Sequence, residues 1–346
     1  MEKMILADLI AGMKIGKDVI SKGGMKLVPK GSILSLSTIE YLRSWGVSDV
    51  YIEEEKQEII TGRKEKQKQI TNTYKKSLDT TIEFLEGLKT SNQLKIKEVR
   101  NVINELNDLT EILPTIQVVN QLKQQDTYTQ QHSMNVAIYS LFMGRWLNLD
   151  ETTLKKLCYA ALLHDIGKIR VAEDIILKPG KLTKKECQEV KKHTIYGYNI
   201  IKENPNLSHQ IALGVLQHHE RQDGSGYPFG IDGTKIHLFA KIIAVADIYD
   251  AITSDRTYKE RQSPFIAAEV LTEQCFGILD TEIVKIFIEK LADFYIGSSV
   301  ILNNGEIGQI ITKNPVFPTR PLVKVGERFI DLSKERSIGI QDILIA

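Results

Sequence analysis

Residues 157–168 read LCYAALLHDIGK. From Leu157 to Leu163 the side chains are apolar at every position, so the helix they predict is hydrophobic on nearly every side and belongs in an interior. That helix delivers His164 and Asp165 into apolar surroundings, where a carboxylate is costly unless it is paired or bound to a metal. The segment KIIAVADIYDAI, residues 241–252, repeats the pattern by placing Asp247 in the middle of an apolar helix. Two buried aspartates with histidines nearby are hard to explain as packing.

All seven histidines of the chain fall between 132 and 237. His132 and His193 sit in segments with helical patterning, and His218 is followed directly by His219. Neighbours on a helix diverge by about 100°, so that adjacent pair serves different metals or different edges of one cluster. His209 and His237 lack a buried acidic neighbour and read as ordinary structural residues. His132, His164, Asp165, His193, His218, His219 and Asp247 together offer imidazole and carboxylate ligands, a set that suits first-row transition metals such as iron or manganese. An aspartate among them can bridge two ions about 3.5–4 Å apart, the arrangement that clamps an in-line phosphoryl displacement. Structural ion pairs are the competing reading, since Asp165 or Asp247 alone could pair with a lysine.

Lys168 stands four residues after His164 and three after Asp165, on a shared helix face. There it can meet a phosphate oxygen as charge develops, or simply pair with Asp165. Asp250 follows Asp247 by one turn. Arg256 and Lys259 come next in SDRTYK, with Arg suited to bidentate phosphate or guanine-edge contacts and Lys to a point charge on phosphate.

Working outward, 346 residues suit two or three domains. The 42% hydrophobic and 26% charged composition is that of a globular protein with a substantial core. A net charge of +1 gives no field for wrapping nucleic acid, so DNA is not an expected partner and any phosphate must meet a local cluster. Three scattered cysteines without a CxxC pair point to a reduced chain. No apolar run approaches a membrane span. The start MEKMILADLIAG, with acids inside its short apolar part, does not read as a signal peptide. The expected location is the cytoplasm.

Residues 1–60 carry short β-type runs (GMKIGKDVI, GGMKLVPKGSIL, VSDVYIEE) and one helical stretch, STIEYLRSWG, with Ser37 or Thr38 as its cap and Gly46 at its end. They predict a small α+β accessory or regulatory module. Residues 61–125 show amphipathic spacing (Leu78, Ile82, Leu85; Ile96, Val99, Ile103, Leu106). They read as a helical linker packed on the next domain, with a dimerising coiled coil, and hence a homodimer, as the alternative. Residues 126–292 are helical apart from the loop DGSGYPFGIDG, and 293–346 form a small β segment (SSVILNN, GEIGQIITK, PLVKV, RFIDL). The fold class is thus multidomain and mainly α, with an all-helical central domain flanked by small α+β and β units.

HDIGK at 164–168, HTIYGYNII at 193–201, HHERQDGSGYP at 218–228 and ADIYDAITSDRTYK at 246–259, preceded by His132 in YTQQHSMNVA, resemble the HD-GYP family of the HD phosphohydrolases. The likeness covers about residues 120–292. It implies an HD-type domain that holds two divalent metal ions, iron or manganese, and cleaves cyclic di-GMP to pGpG, GMP or both in bacterial signalling. On this pattern His132, His164, Asp165 and Asp247 hold one ion, and Asp165 bridges to a second held by His193, His218 and His219. Asp165 and Lys168 are the expected catalytic pair; Lys168, Asp250, Arg256 and Lys259 are expected near the substrate. Gly226, Tyr227 and Pro228 match the signature loop, which implies a lid or a docking point for a signalling-protein partner. Some relatives bind a third metal through a carboxylate one turn before the first histidine; Tyr128 stands there in this chain, so no third ion is expected. Another cyclic dinucleotide as substrate, or a nucleotide-sensing or docking module with little catalysis, are the alternative functions.

Overall fold

The computed structural model describes residues 1–343 apart from 10–11, 22, 25, 35, 54–56, 92, 114–118, 120–127 and 255–260. The N-terminal unit comprises β1 (Glu2–Ile5), β2 (Val19–Ile20), β3 (Lys26–Val28), α1 (Leu36–Ser44) and β4 (Asp49–Ile52). β1 pairs antiparallel with β4, and β2 with β3. Gly46 ends α1 as expected: its φ of 66° is open to glycine, and Val47 N–H returns to Leu42 C=O. The helix starts earlier than its expected cap, at Leu36, which puts Ser37 and Thr38 inside it, and Thr38 is fully buried. Met13, Ile15, Leu27, Leu34 and Leu42 form this unit's own core.

Two long helices follow, α2 (Gln57–Ser91) and α3 (Ile96–Ile112). Tyr74, Leu78, Phe84 and Leu88 from α2, with Val99, Val102 and Leu106 from α3, belong to one continuous core with the helices that come after. Those helices are α4 (Tyr128–Trp146), α5 (Glu151–Leu162), the short α6 (Glu173–Ile176), α7 (Lys184–Lys191), α8 (His193–Lys202), α9 (His209–Gln217), α10 (Leu238–Thr253), α11 (Pro264–Gln274) and α12 (Thr281–Phe294). α4 is central, buried on all sides from Gln131 to Gly144. Gly214 lets α5, α9 and α10 meet closely, because a Cβ there would lie 2.7 Å from the Ala160 Cβ and 3.2 Å from that of Phe239. Asp150 caps α5 by accepting the Thr152 and Thr153 N–H groups.

The C-terminal unit is a five-stranded antiparallel sheet of β5 (Ser299–Leu302), β6 (Ile307–Thr312), β7 (Leu322–Val325), β8 (Arg328–Asp331) and β9 (Ile340–Ile343), in the order β8-β7-β6-β5-β9. Val300, Leu302, Ile310, Val323 and Ile340 join it to the helical core. The N-terminal unit rests on the same sheet: Ile301 and Ile307 pack against its core, and Ser32 and Ser299, both fully buried, share a 3.2 Å hydroxyl hydrogen bond. Among the described residues no helix is long and apolar enough to cross a membrane.

Burying a large apolar side chain stabilises by about 1.5–3 kcal/mol, and net stabilities run at ~5–15 kcal/mol. Removing α2, α3 and the C-terminal sheet, which share the helical core, uncovers enough of it to exceed that margin. A fragment of residues 120–292 is therefore expected to show no cooperative urea transition by circular dichroism, whereas residues 57–346 retain one.

Candidate metal centre

The polar centre sits where five elements converge: α4, the end of α5, α8, the end of α9 and α10. α5 stops at Leu162, and the chain passes through His164 and Asp165 into a 3-10 turn, Ile166–Arg170. The sequence reading carried the α-helix through Lys168; the structure tightens it instead. In 3-10 geometry residues i and i+3 eclipse, and Lys168 Nζ accordingly sits 2.5 Å from Asp165 Oδ2. Gly167 explains the tight turn. A Cβ on it would fall 1.9 Å from the His193 carbonyl oxygen and 2.4 Å from the Gly197 nitrogen, so glycine lets the turn lie flat on α8. That close approach brings His193, the first residue of α8, to 3.3 Å from Asp165 Oδ1.

His218 is the C-terminal cap of α9 and His219 follows it, with ring centroids 4.1 Å apart. Both face the same group: one ligand atom each from Asp165, His193, His218 and His219 lies within 4.8 Å of the others. A second group, His132, His164 and Asp165, meets the same limit. Asp247 joins it through its Oδ1, 3.2 Å from His132 Nε2. Asp165 alone belongs to both groups. His209 is exposed, and His237 caps α10 by accepting the Phe239 N–H, in keeping with their structural reading.

Hydrogen bonding fixes which nitrogen each ring offers. His164, His193 and His218 direct Nδ1 at the carbonyl oxygens of Ala161, Val190 and Val215, at 2.8, 2.7 and 2.7 Å. A carbonyl only accepts, so Nδ1 carries the proton and Nε2 presents a lone pair to the centre. Burial pushes the His193 and His218 pKa values down, and that of His219 to about 3, so all three stay neutral near pH 7. The Nε2 atoms of His193 and His218 face each other at 3.4 Å. Two lone pairs at that distance repel unless a cation lies between them. His164 Nε2 and Asp165 Oδ1 are buried without a hydrogen-bond partner, which is costly for polar atoms. These orphaned acceptors fit a metal.

Burial would raise the Asp165 carboxyl, but Lys168 first and then His164 and His193 hold it well below the usual carboxylate range. Asp247 is likewise lowered against its burial, chiefly by His132. Burial would depress His132, yet hydrogen bonds to Asp247 and Asp250 raise it from 6.5 to about 9.

Asp250 is a correction. Expected near the substrate, it is fully buried behind His132, where its Oδ2 accepts from Nδ1 at 2.8 Å and its Oδ1 from Asn135 Nδ2 at 3.0 Å. The reason is the helical offset: three residues past Asp247, its side chain turns toward α4 instead of the opening. Asn135 was missed, although it lies one turn beyond His132 in QHSMN and shares its face. Tyr74, which donates to Asn135 Oδ1 at 2.8 Å, comes from α2, and no local signal marks it. Arg256 and Lys259 lie outside the described residues, as does the side chain of Tyr128.

The loop Gly226–Tyr227–Pro228 is anchored from below. Buried Glu220 accepts the Phe229 and Ile231 N–H groups at 2.8 and 3.2 Å. A Cβ on Gly226 would lie within 2.5 Å of the backbone at His219, Glu220 and Arg221. The Tyr227 ring stacks on His219 at 4.6 Å, and Lys191 Nζ lies 5.0 Å from the centre of the same ring. Arg221, half-buried, donates to the His218 and Glu220 carbonyls and is drawn electrostatically to Asp247.

Two outcomes follow. A metal taking His132 Nε2 must displace the proton held there, so metal affinity rises with pH toward about 9. In metal-free protein the raised His132 value stabilises fully below 6.5 and is lost as pH passes about 9, so the urea midpoint falls across that window. His193, His218 and His219, neutral when folded but protonated in the unfolded chain near its usual histidine pKa of about 6.5, oppose that fall at the low end of the window, so the net fall appears between pH 7.5 and 9. Titrating Mn(II) and urea at pH 6.5, 7.5 and 9 checks both. Separately, Gly167→Ala should push α8 away, destabilise by about 1–3 kcal/mol and weaken Mn(II) binding, measured by the same two titrations.

A model of the HD domain family matches residues 117–281. Over 204 residues, 59% of this chain and 49% of the other, the sequence is 36% identical to a cyclic di-GMP phosphodiesterase of Pseudomonas aeruginosa. It is 38% identical over 156 residues to the 3'3'-cGAMP-specific phosphodiesterase 3 of Vibrio cholerae, covering 45% of this chain and 34% of that one. The chain thus spans about half the length of the first relative and a third of the second. In fold it is similar to Bd1817, an HDG"Y"P protein from Bdellovibrio bacteriovorus, with a TM-score of 0.51 at 15% identity, over 83% of this chain and 97% of that one. Residues 117–281, just under half of this chain, thus match the HD domain family.

Proposed function

We propose that the chain hydrolyses a phosphodiester of a cyclic dinucleotide, cyclic di-GMP first, at two divalent ions that share Asp165. The observation that carries this reading is the double membership of Asp165: one buried carboxylate common to two ligand groups, with one oxygen still lacking a partner. His132, His164, Asp165 and Asp247 would hold one ion, and Asp165, His193, His218 and His219 the other. The imidazole-rich, thiolate-free donor set favours iron or manganese. When bound, such a pair supplies an activated water and a clamp for in-line displacement at phosphorus.

The chain's own groups do the rest. Nδ1–H bonds to backbone carbonyls hold three imidazoles in one tautomer and orientation before substrate arrives. Lys168 is 35% exposed while Asp165 is 6% exposed, so the ammonium is the member of that pair within reach of an incoming phosphate oxygen. Tyr227, stacked on His219, walls one side against water. Arg256 and Lys259 would contact the remaining phosphate. The products pGpG and GMP, a docking role for the Tyr227 loop and a cytoplasmic location belong to the same proposal.

The Vibrio relative's name favours one second reading, a preference for 3'3'-cGAMP with the same chemistry. Protein purified without oxygen, analysed for metal and incubated with each nucleotide, separates the two by chromatography of the products. Asp165→Ala should lose metal and all measurable hydrolysis. Lys168→Ala should keep its metal and lose about 100- to 1,000-fold in kcat. Unchanged turnover in Asp165→Ala would overturn the reading.

A further inference from the structure

Tyr74 lies in α2, ahead of the 117–281 segment that matches the HD family model, yet it reaches the polar centre. Its side chain is 3% exposed, and its hydroxyl is 2.8 Å from Asn135 Oδ1. Asn135, 1% exposed, places Nδ2 3.0 Å from Asp250 Oδ1. Asp250, fully buried, takes the His132 ring through Nδ1 at 2.8 Å. His132 Nε2 then faces Asp247 at 3.2 Å and Asp165 at 4.0 Å.

The polarity of this chain of bonds is fixed from both ends. An ionised Asp250 only accepts, so Asn135 must turn its amide N–H groups toward it and its oxygen away. That oxygen needs a donor in a dry interior, and the Tyr74 hydroxyl is the donor. Gln131 also bonds the Tyr74 hydroxyl, which holds it in place on α4. With the amide so oriented, Asp250 holds the Nδ1–H of His132 and leaves Nε2 for the centre. Partners behind a ligating histidine set its orientation and basicity.

We infer that Tyr74 is a positioning residue for His132, acting through Asn135 and Asp250, so that helix α2 helps set the metal affinity of the centre. The inference rests on the proposed metal reading. A purely structural alternative makes Tyr74 another core side chain, equivalent to Leu78 one turn later, which is 5% exposed in the same core.

The full chain separates these possibilities, with Mn(II) alone as the probe. Tyr74→Phe removes one oxygen and keeps the ring; Leu78→Ala removes packing and leaves the hydrogen-bond chain intact. Tyr74→Phe is expected to weaken one Mn(II) binding step by about 3- to 10-fold, below the ~10- to 100-fold typical of a direct partner of a ligand, with Tm close to wild type. Leu78→Ala is expected to lower Tm and leave Mn(II) affinity unchanged. Wild-type affinity in Tyr74→Phe, or equal weakening in Leu78→Ala, overturns the role of Tyr74 while the metal centre stands. A wild-type chain that takes up no Mn(II) overturns the metal reading and this one together.

Discussion

One buried carboxylate organises the helical region. Asp165 is 7% exposed, and an isolated anion at that depth would be driven to protonate. Lys168 approaches one of its oxygens, while His164, His193 and, further off, His132 surround it. None of these partners is local in the chain except the residues of HDIGK itself. The fold must therefore bring α4, α8, α9 and α10 to one point, and the places where it does so are its least tolerant positions. Gly167 against the His193 carbonyl is the tightest of them.

The centre was more legible in the sequence than the frame that holds it. Histidines and aspartates inside apolar helices announce themselves because burial of such groups needs an explanation, and the seven ligand candidates do converge. Asp250 was misplaced because spacing along a helix says which turn a residue occupies, not which neighbour that turn meets. Tyr74 and Asn135 carry neutral side chains that are unremarkable until their partners are known. At the ends, β1 and β9 escaped notice. β1 (Glu2–Ile5) is mostly exposed and so lacks the alternation that marks a strand, and β9 depends on pairing with β5, some forty residues away. Pairing between distant segments leaves little trace in local pattern.

Residues 61–125 read as a helical linker packed on the next domain, because amphipathic spacing shows that one face of a helix is covered without saying by what. The structure identifies the cover. α2 and α3 close the side of α4 that the later helices leave open, and Glu105 on α3 ties them together by accepting from Lys76 and Ser77. α2 begins five residues after β4 ends and packs on the interior around α4 through Tyr74 and Leu78. A helix of 35 residues is about 52 Å long, so one continuous helix runs from just after β4 past the polar centre.

The buried contact between Ser32 and Ser299 joins positions 267 residues apart. On the ribosome, where chains lengthen at about 5–20 residues per second, the N-terminal unit emerges tens of seconds before Ile301 and Ile307 exist to cover its apolar surface. That surface has no native cover during this interval, which makes it a natural stopping place for a chaperone and the region most exposed to misassembly between neighbouring nascent chains.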